Sequence, residues 1–155
     1  MNMNRLELKI PPPAVALCLA LVMWLVSSLV QPLDVPFRFR IAAGLVLAFV
    51  GQGISIAGMI AFRRARTTIN PFNPGATSSL VSGGVYRFTR NPMYVGLLFT
   101  LLGWAAFLSN PAALLVVPLY VLYIDRFQIR AEERVLSSLF GAEFGAYKER
   151  VRRWF

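Results

Sequence analysis

Chemistry-bearing residues gather in two places along an otherwise apolar chain. One is the run Tyr86-Arg87-Phe88-Thr89-Arg90-Asn91-Pro92-Met93-Tyr94, and the other covers 126–134, from an arginine through Glu132 and Glu133 to Arg134. Asn91 followed by Pro92 reads as a helix N-cap with proline at the first helical position, which leaves free backbone N–H groups and a positive dipole end suited to an anion. Arg90 beside it can grip a carboxylate or phosphate with two hydrogen bonds. The same residues also read as an ordinary helix start with a snorkelling arginine. In the second cluster, Arg126, Arg130 and Glu133 fall on one helical stripe, because a seven-residue step advances about 700°, close to two turns. They are expected to face one site. Glu132 points about 100° away from Glu133, so the two carboxylates are expected to do different work, one toward a ligand and one toward arginines or solvent. A solvated charged helix is the plain alternative.

What is missing narrows the chemistry. Histidine is absent from the 155 residues and Cys18 is the only cysteine. Zinc hydrolases, histidine-based triads and histidine-ligated haem are therefore poor candidates, no thiolate metal cluster or disulfide framework is available, and no metal is expected. The net charge of +9 invites a nucleic-acid reading, but the basic residues border apolar runs and form no separate basic domain, so no nucleic-acid partner is expected. A composition 57% hydrophobic and 15% charged, with mean hydropathy +0.59, is too apolar for a surface solvated by water.

The elements that must hold the two clusters are membrane helices. Apolar runs at 14–30, 39–62, 92–108 and 111–124 approach the roughly 20 residues of a span, which predicts one all-α, polytopic membrane bundle over 1–155 with about four transmembrane helices. The last two form a hairpin about the turn Ser109-Asn110-Pro111, with Pro118 a possible kink. Cytosolic elements are expected at 84–96 and in a helical extension over 125–155. The first run follows Arg5 and Lys9 but exceeds the roughly 7 to 15 residues of a signal-peptide core, so it reads as a mature span. Gly51/Ser55 and Gly53/Ala57 have the spacing that lets membrane helices approach closely, and 67–84 reads as a long loop. With both termini in the cytosol, all but Arg38 and Arg40 of the 16 lysines and arginines lie inside. The expected location is a membrane with a cytosolic face, the plasma (inner) membrane if the host is bacterial. The basic tail, Lys148, Arg150, Arg152 and Arg153, is suited to anionic lipids, and Trp154 and Phe155 to an interfacial anchor or to packing on the third helix.

The segment from Gly84 through Tyr86, Arg90, Asn91, Pro92 and Tyr94 to Gly96 is followed, after the hairpin, by Glu132-Glu133-Arg134, Phe140-Gly141, Tyr147 and Arg153-Trp154. Together they resemble the isoprenylcysteine carboxyl methyltransferase and phospholipid methyltransferase family over roughly 65–155. The resemblance implies a membrane enzyme that takes a methyl group from S-adenosylmethionine bound on the cytosolic side. Arg90, Asn91, Pro92, Tyr94 and Gly96 would form one wall of the cofactor site, and Glu132, Glu133 and Tyr147 the other, with Arg90, Asn91 and Glu133 the catalytic candidates. The eukaryotic carboxyl methyltransferases usually carry histidine where this chain has Asn91, which keeps a hydrogen bond but cannot take a proton.

The residues agree with what the resemblance implies. S-adenosylmethionine offers a carboxylate for Arg90 and the helix N-terminus, an ammonium for Glu132 or Glu133, and a sulfonium for the faces of Tyr94 or Tyr147. Methyl transfer from such a donor rests on proximity, orientation and desolvation, so the lack of histidine is no obstacle. A carboxylate acceptor is already ionised at neutral pH, which favours a lipophilic carboxylate entering from the bilayer over an amine or hydroxyl. Phe99, Trp104 and Phe107 either line its route or simply pack. Phospholipid or amine N-methylation is the neighbouring alternative and a non-catalytic membrane scaffold the distant one. A transporter would place ionisable groups near the midplane.

Overall fold

The computed structural model describes residues 7–66 and 78–155, so most of the predicted 67–84 loop lies outside the described residues. Every regular element among them is helical: α1 Pro12–Ser27, α2 Phe37–Arg64, a 3-10 turn Gly84–Arg87, α3 Pro92–Leu108, the one-turn α4 Pro111–Leu114, α5 Val117–Ile124, a π turn Asp125–Ile129 and α6 Arg130–Arg150. Two stretches are long and apolar enough to cross a membrane, the 28 residues of α2 and the 40 residues from Pro111 to Arg150. α1 and α3 are shorter apolar helices of 16 and 17 residues, about 25 Å each at 1.5 Å per residue. α1 stops at Ser27 rather than running to 30, because Ser27 and Ser28 turn their hydroxyls onto the carbonyls of Trp24 and Leu25.

α3 sits in the middle, touching α1, α2, α4 and α5. Its contact with α2 is a backbone-to-backbone seam. Gly44, Gly51 and Gly58 recur every seven residues, and a Cβ added at Gly51 would come 2.9 Å from Phe99 Cβ and 3.2 Å from the Thr100 nitrogen. Only glycine fits there. Ser55 meets Gly96, as the expected small-residue spacing requires, whereas Gly53 has open space around it and takes no part. On the other side of α3, Met23, Leu101, Tyr120, Ile124 and Ile129 form the main core. The outward faces stay apolar, with Phe49 72% and Leu122 65% exposed. In water such a surface would be an association site, while against hydrocarbon it is the favoured one.

Polar clamps close the end opposite the charged clusters. Buried Asn110 donates to the carbonyls of Ser27 (3.0 Å) and Val30 (2.7 Å) and accepts from the Ala112 N–H (2.9 Å). Arg40 donates to the last carbonyls of α3, 2.7 Å to Phe107 O, where the helix dipole welcomes a cation. The fourth apolar run is interrupted at Leu115 and Val116. Pro118 has no N–H to give, and its ring would crowd the carbonyl of Leu114, so the chain ends α4 there and restarts as α5.

Two departures reshape the predicted extension. The π turn Asp125–Ile129 takes five residues where an α-helix would begin a regular turn, and Gly141 adopts φ 48°, ψ −118°, bending α6 before it resumes to Arg150. That left-handed conformation favours glycine. The segment at 7–10 lies over the π turn, with Leu8 N–H on Phe127 O (3.2 Å), Gln128 Nε2 on Ile10 O (2.7 Å) and buried Glu7 bonded to Arg134.

Candidate functional site

The two polar clusters meet at one end of the bundle. The 3-10 turn brings Tyr86 against Phe62, with ring centroids 5.5 Å apart, and Tyr86, Phe144, Tyr147 and Val151 form a second small core beneath the start of α3. The last residues of the chain then fold back onto the loop before α3 through their backbone. Arg90 N–H donates to Arg152 O (3.0 Å), while Thr89 Oγ1 (3.2 Å) and Asn91 Nδ2 (2.9 Å) both donate to Arg153 O. Asn91 thus occupies the predicted N-cap position with Pro92 after it, but its side chain holds the tail rather than capping the helix.

Arg90 is not a free anion hook in this structure. Nη1 donates to Val151 O (2.8 Å) and Lys148 O (3.0 Å), and Nη2 to Glu133 Oε1 (2.7 Å), while Nε is buried without a partner among the described residues. Glu133 is shared. Its Oε2 accepts from Arg153 Nη2 at 2.6 Å, and Arg153 Nη1 reaches Asp125 Oδ1 at 2.6 Å. Asp125 also accepts from Arg130 Nε at 2.9 Å, so an alternating chain of charges ties the loop, α6, the tail and the π turn together. Burial alone would raise the Glu133 carboxyl, but hydrogen bonds and charge from Arg153 and Arg90 bring it below the usual range.

Glu132 lives differently, as the 100° offset requires. Its partner is the Tyr94 hydroxyl, and Tyr94 is held in turn by Tyr120, whose hydroxyl donates to Tyr94 O at 3.2 Å. Burial pushes the Glu132 carboxyl up to about 7, the Tyr94 hydrogen bond pulls it back somewhat, and neighbouring Glu133 adds to the rise. Tyr147 donates to Tyr86 O at 2.7 Å, and burial raises its hydroxyl to about 12.

The structure does not bring all the expected residues together. Arg126 leaves the expected stripe and turns to Glu7, 3.9 Å away, and Arg130 turns to Asp125. The cause is the π turn, whose wider winding shifts the phase of every later residue relative to a regular helix. Gly96, expected on the cofactor wall, lies on the α2 side of α3 against Gly51 and Ser55. Trp104 donates to Ala20 O (3.0 Å) and stacks on Phe107, and Phe99 meets Phe155 edge-on, so these aromatics and the tail anchor pack between elements. Arg153 and Asp125 join the cluster although neither is among the residues expected on its walls. The available signal was charge balance: with seven acidic residues against 16 basic ones, a buried acid must serve several arginines.

A bundle of apolar helices with a partly buried charged cluster at one end defines a helical membrane-type protein with a polar rim. Residues 39–143 match the model of the phospholipid methyltransferase family, and the chain belongs to that family. It is 48% identical over 62 residues to an uncharacterized protein of Haemophilus influenzae, covering 40% of this chain and 98% of that one. Protein-S-isoprenylcysteine O-methyltransferase A of Arabidopsis thaliana is 32% identical over 108 residues, 70% of this chain and 55% of the plant protein. The protein-S-isoprenylcysteine O-methyltransferase of Saccharomyces cerevisiae is 31% identical over 110 residues, 70% of this chain and 45% of the yeast protein. The chain thus spans about half the length of these two methyltransferases. No solved structure matches it.

Proposed function

We propose that the chain is an integral-membrane methyltransferase that transfers a methyl group from S-adenosylmethionine to a lipophilic acceptor, most readily a carboxylate. In this reading 1–155 is one domain with four spans and both termini in the cytosol, which sets the charged cluster at the cytosolic surface. The reading is carried by the meeting of Arg90, Tyr94, Glu132 and Glu133 at one end of an apolar bundle whose family is known for methyl transfer. The donor set suits the cofactor. Glu132 offers negative charge to an ammonium or a sulfonium, Glu133 is held beside it by Arg90 and Arg153, and the orphaned Nε of Arg90 is a buried donor in want of an acceptor.

S-adenosylmethionine held there would supply an activated, sulfur-bound methyl carbon to the acceptor's lone pair. The chain's own contribution is positioning. Arg90 and Arg153 fix Glu133 and lock the tail over the site, Asn91 anchors that tail, and Pro92 and Tyr94 start α3 beside Glu132. An ionised carboxylate acceptor needs no proton removed, so the lack of histidine does not hinder it. The basic tail, with Lys148, Arg150 and Arg152 exposed, favours anionic lipids at the same surface.

Methylation of an amine is the second reading, favoured by one observation. A Glu132 carboxyl near 7 is half ionised at neutral pH and suited to accept a proton. Product analysis with labelled methyl donor separates the two. The underlying site is tested by calorimetric binding of S-adenosylhomocysteine to wild type, Glu133→Gln and Arg90→Ala. At least tenfold weakening in either variant, about 1.4 kcal/mol, is expected. Absence of binding to folded wild type in both detergent and nanodiscs refutes the reading.

A further inference from the structure

α1 and α5 touch but leave between them an open cleft of about 560 Å³. That is within the roughly 300 to 1,000 Å³ of sites for small ligands. Its walls are hydrocarbon: Val15 and Leu19 from α1, Leu119 and Leu122 from α5. At one end the lining changes character, to Tyr123, Arg126 and Arg130. Arg126 and Arg130 keep 48% and 54% of their side chains exposed, and among the described residues Arg126 has a loose 3.9 Å pair with Glu7 and lies 5.9 Å over the Phe127 ring. Asp125, the acid at this end, is already shared between Arg130 and Arg153, so the end of the cleft is net positive.

We propose that this cleft holds the hydrocarbon chain of the methyl acceptor, a single-chain amphiphile whose anionic head group is met by Arg126 and Arg130. The location rests on the methyltransferase reading. What ties the cleft to the candidate site is Asp125, which lines the cleft and is joined through Arg153 to Glu133, with both links at 2.6 Å. A cleft between two helices takes one chain, and a guanidinium pair selects a carboxylate or similar anion over an alcohol or amine. In the proposed orientation the polar end lies at the cytosolic surface, and the apolar walls run from there into the bilayer.

The test is equilibrium binding of radiolabelled oleic acid and oleyl alcohol to the full chain in phosphatidylcholine nanodiscs, with S-adenosylhomocysteine binding measured alongside. Oleic acid is expected to bind saturably, at about one per chain. Leu122→Trp, which fills the cleft from an exposed position, is expected to weaken it at least tenfold while leaving S-adenosylhomocysteine binding intact. Arg126→Gln is expected to weaken oleic acid about tenfold and leave oleyl alcohol unchanged. Equal binding to wild type and Leu122→Trp overturns the location, and equal affinity for acid and alcohol overturns the head-group assignment. Displacement by phosphatidylglycerol doped into the same discs gives the cleft to bulk lipid and also overturns it. Wild type that binds oleic acid as expected but not S-adenosylhomocysteine refutes the methyltransferase reading alone.

Discussion

Glu132→Gln should make the protein more stable above neutral pH and leave it unchanged in mild acid. In the folded chain the carboxyl is held at about 7 against an ordinary 4.5, chiefly by burial, so the native state prefers it protonated. Below pH 4.5 both folded and unfolded chains carry the proton and nothing is lost. As pH rises toward 7 the unfolded chain ionises freely while the folded one resists, so native stability falls, and above 7 the full penalty applies. At about 1.4 kcal/mol per pH unit the difference comes to about 3 kcal/mol, softened to roughly 2 because the residue retains some exposure. Glutamine keeps an oxygen to accept the Tyr94 hydroxyl and does not titrate. Thermal unfolding in detergent, followed by tryptophan fluorescence, should show the variant melting with wild type at pH 4.5 and about 4–8 °C above it at pH 8. A difference that does not change with pH, or a variant less stable at pH 8, would refute the assignment of a raised carboxyl at this position.

Two further outcomes follow from the packing. Gly51→Val places a side chain against Phe99 Cβ and the Thr100 backbone nitrogen, neither of which can yield without moving α3, and should cost about 2–3 kcal/mol in chemical denaturation. Gly53→Val meets nothing and should stay within about 0.5 kcal/mol of wild type. Asn110→Ala removes three hydrogen bonds in a buried turn and should lower stability by about 2–3 kcal/mol, with earlier proteolysis of the chain between α1 and α2 than in wild type.

The helices were readable in the sequence because apolar runs and glycine spacing are local properties, and the α2 seam follows from them. Where reading failed, the determinant was non-local or a matter of phase. Nothing in the run around Arg126 announces a π turn, yet that turn decides whether Arg126 and Arg130 join Glu133. Gly96 could be assigned to a cofactor wall by its neighbours in sequence, while its side of α3 was set by Ser55 and Gly51 across the bundle. The tail docks through the carbonyls of Val151, Arg152 and Arg153, groups that every residue carries, so no side-chain pattern foretells it.

One global constraint would have reached further than any motif. In a chain with seven acids and 16 bases, burying an acid at a membrane surface means sharing it, and the structure does so three times. Glu7 serves Arg126 and Arg134, Asp125 serves Arg130 and Arg153, and Glu133 serves Arg90 and Arg153. Glu132 is the exception, facing a neutral phenol instead of a cation. The consequence separates the two adjacent glutamates by chemistry. Glu133 has its charge answered twice over and is fit to hold the site's shape, whereas Glu132, which has no counter-charge among the described residues, gains most when a cationic ligand arrives. A positively charged group bound at this end of the bundle should therefore seek Glu132, and in doing so draw its carboxyl back toward the ionised form.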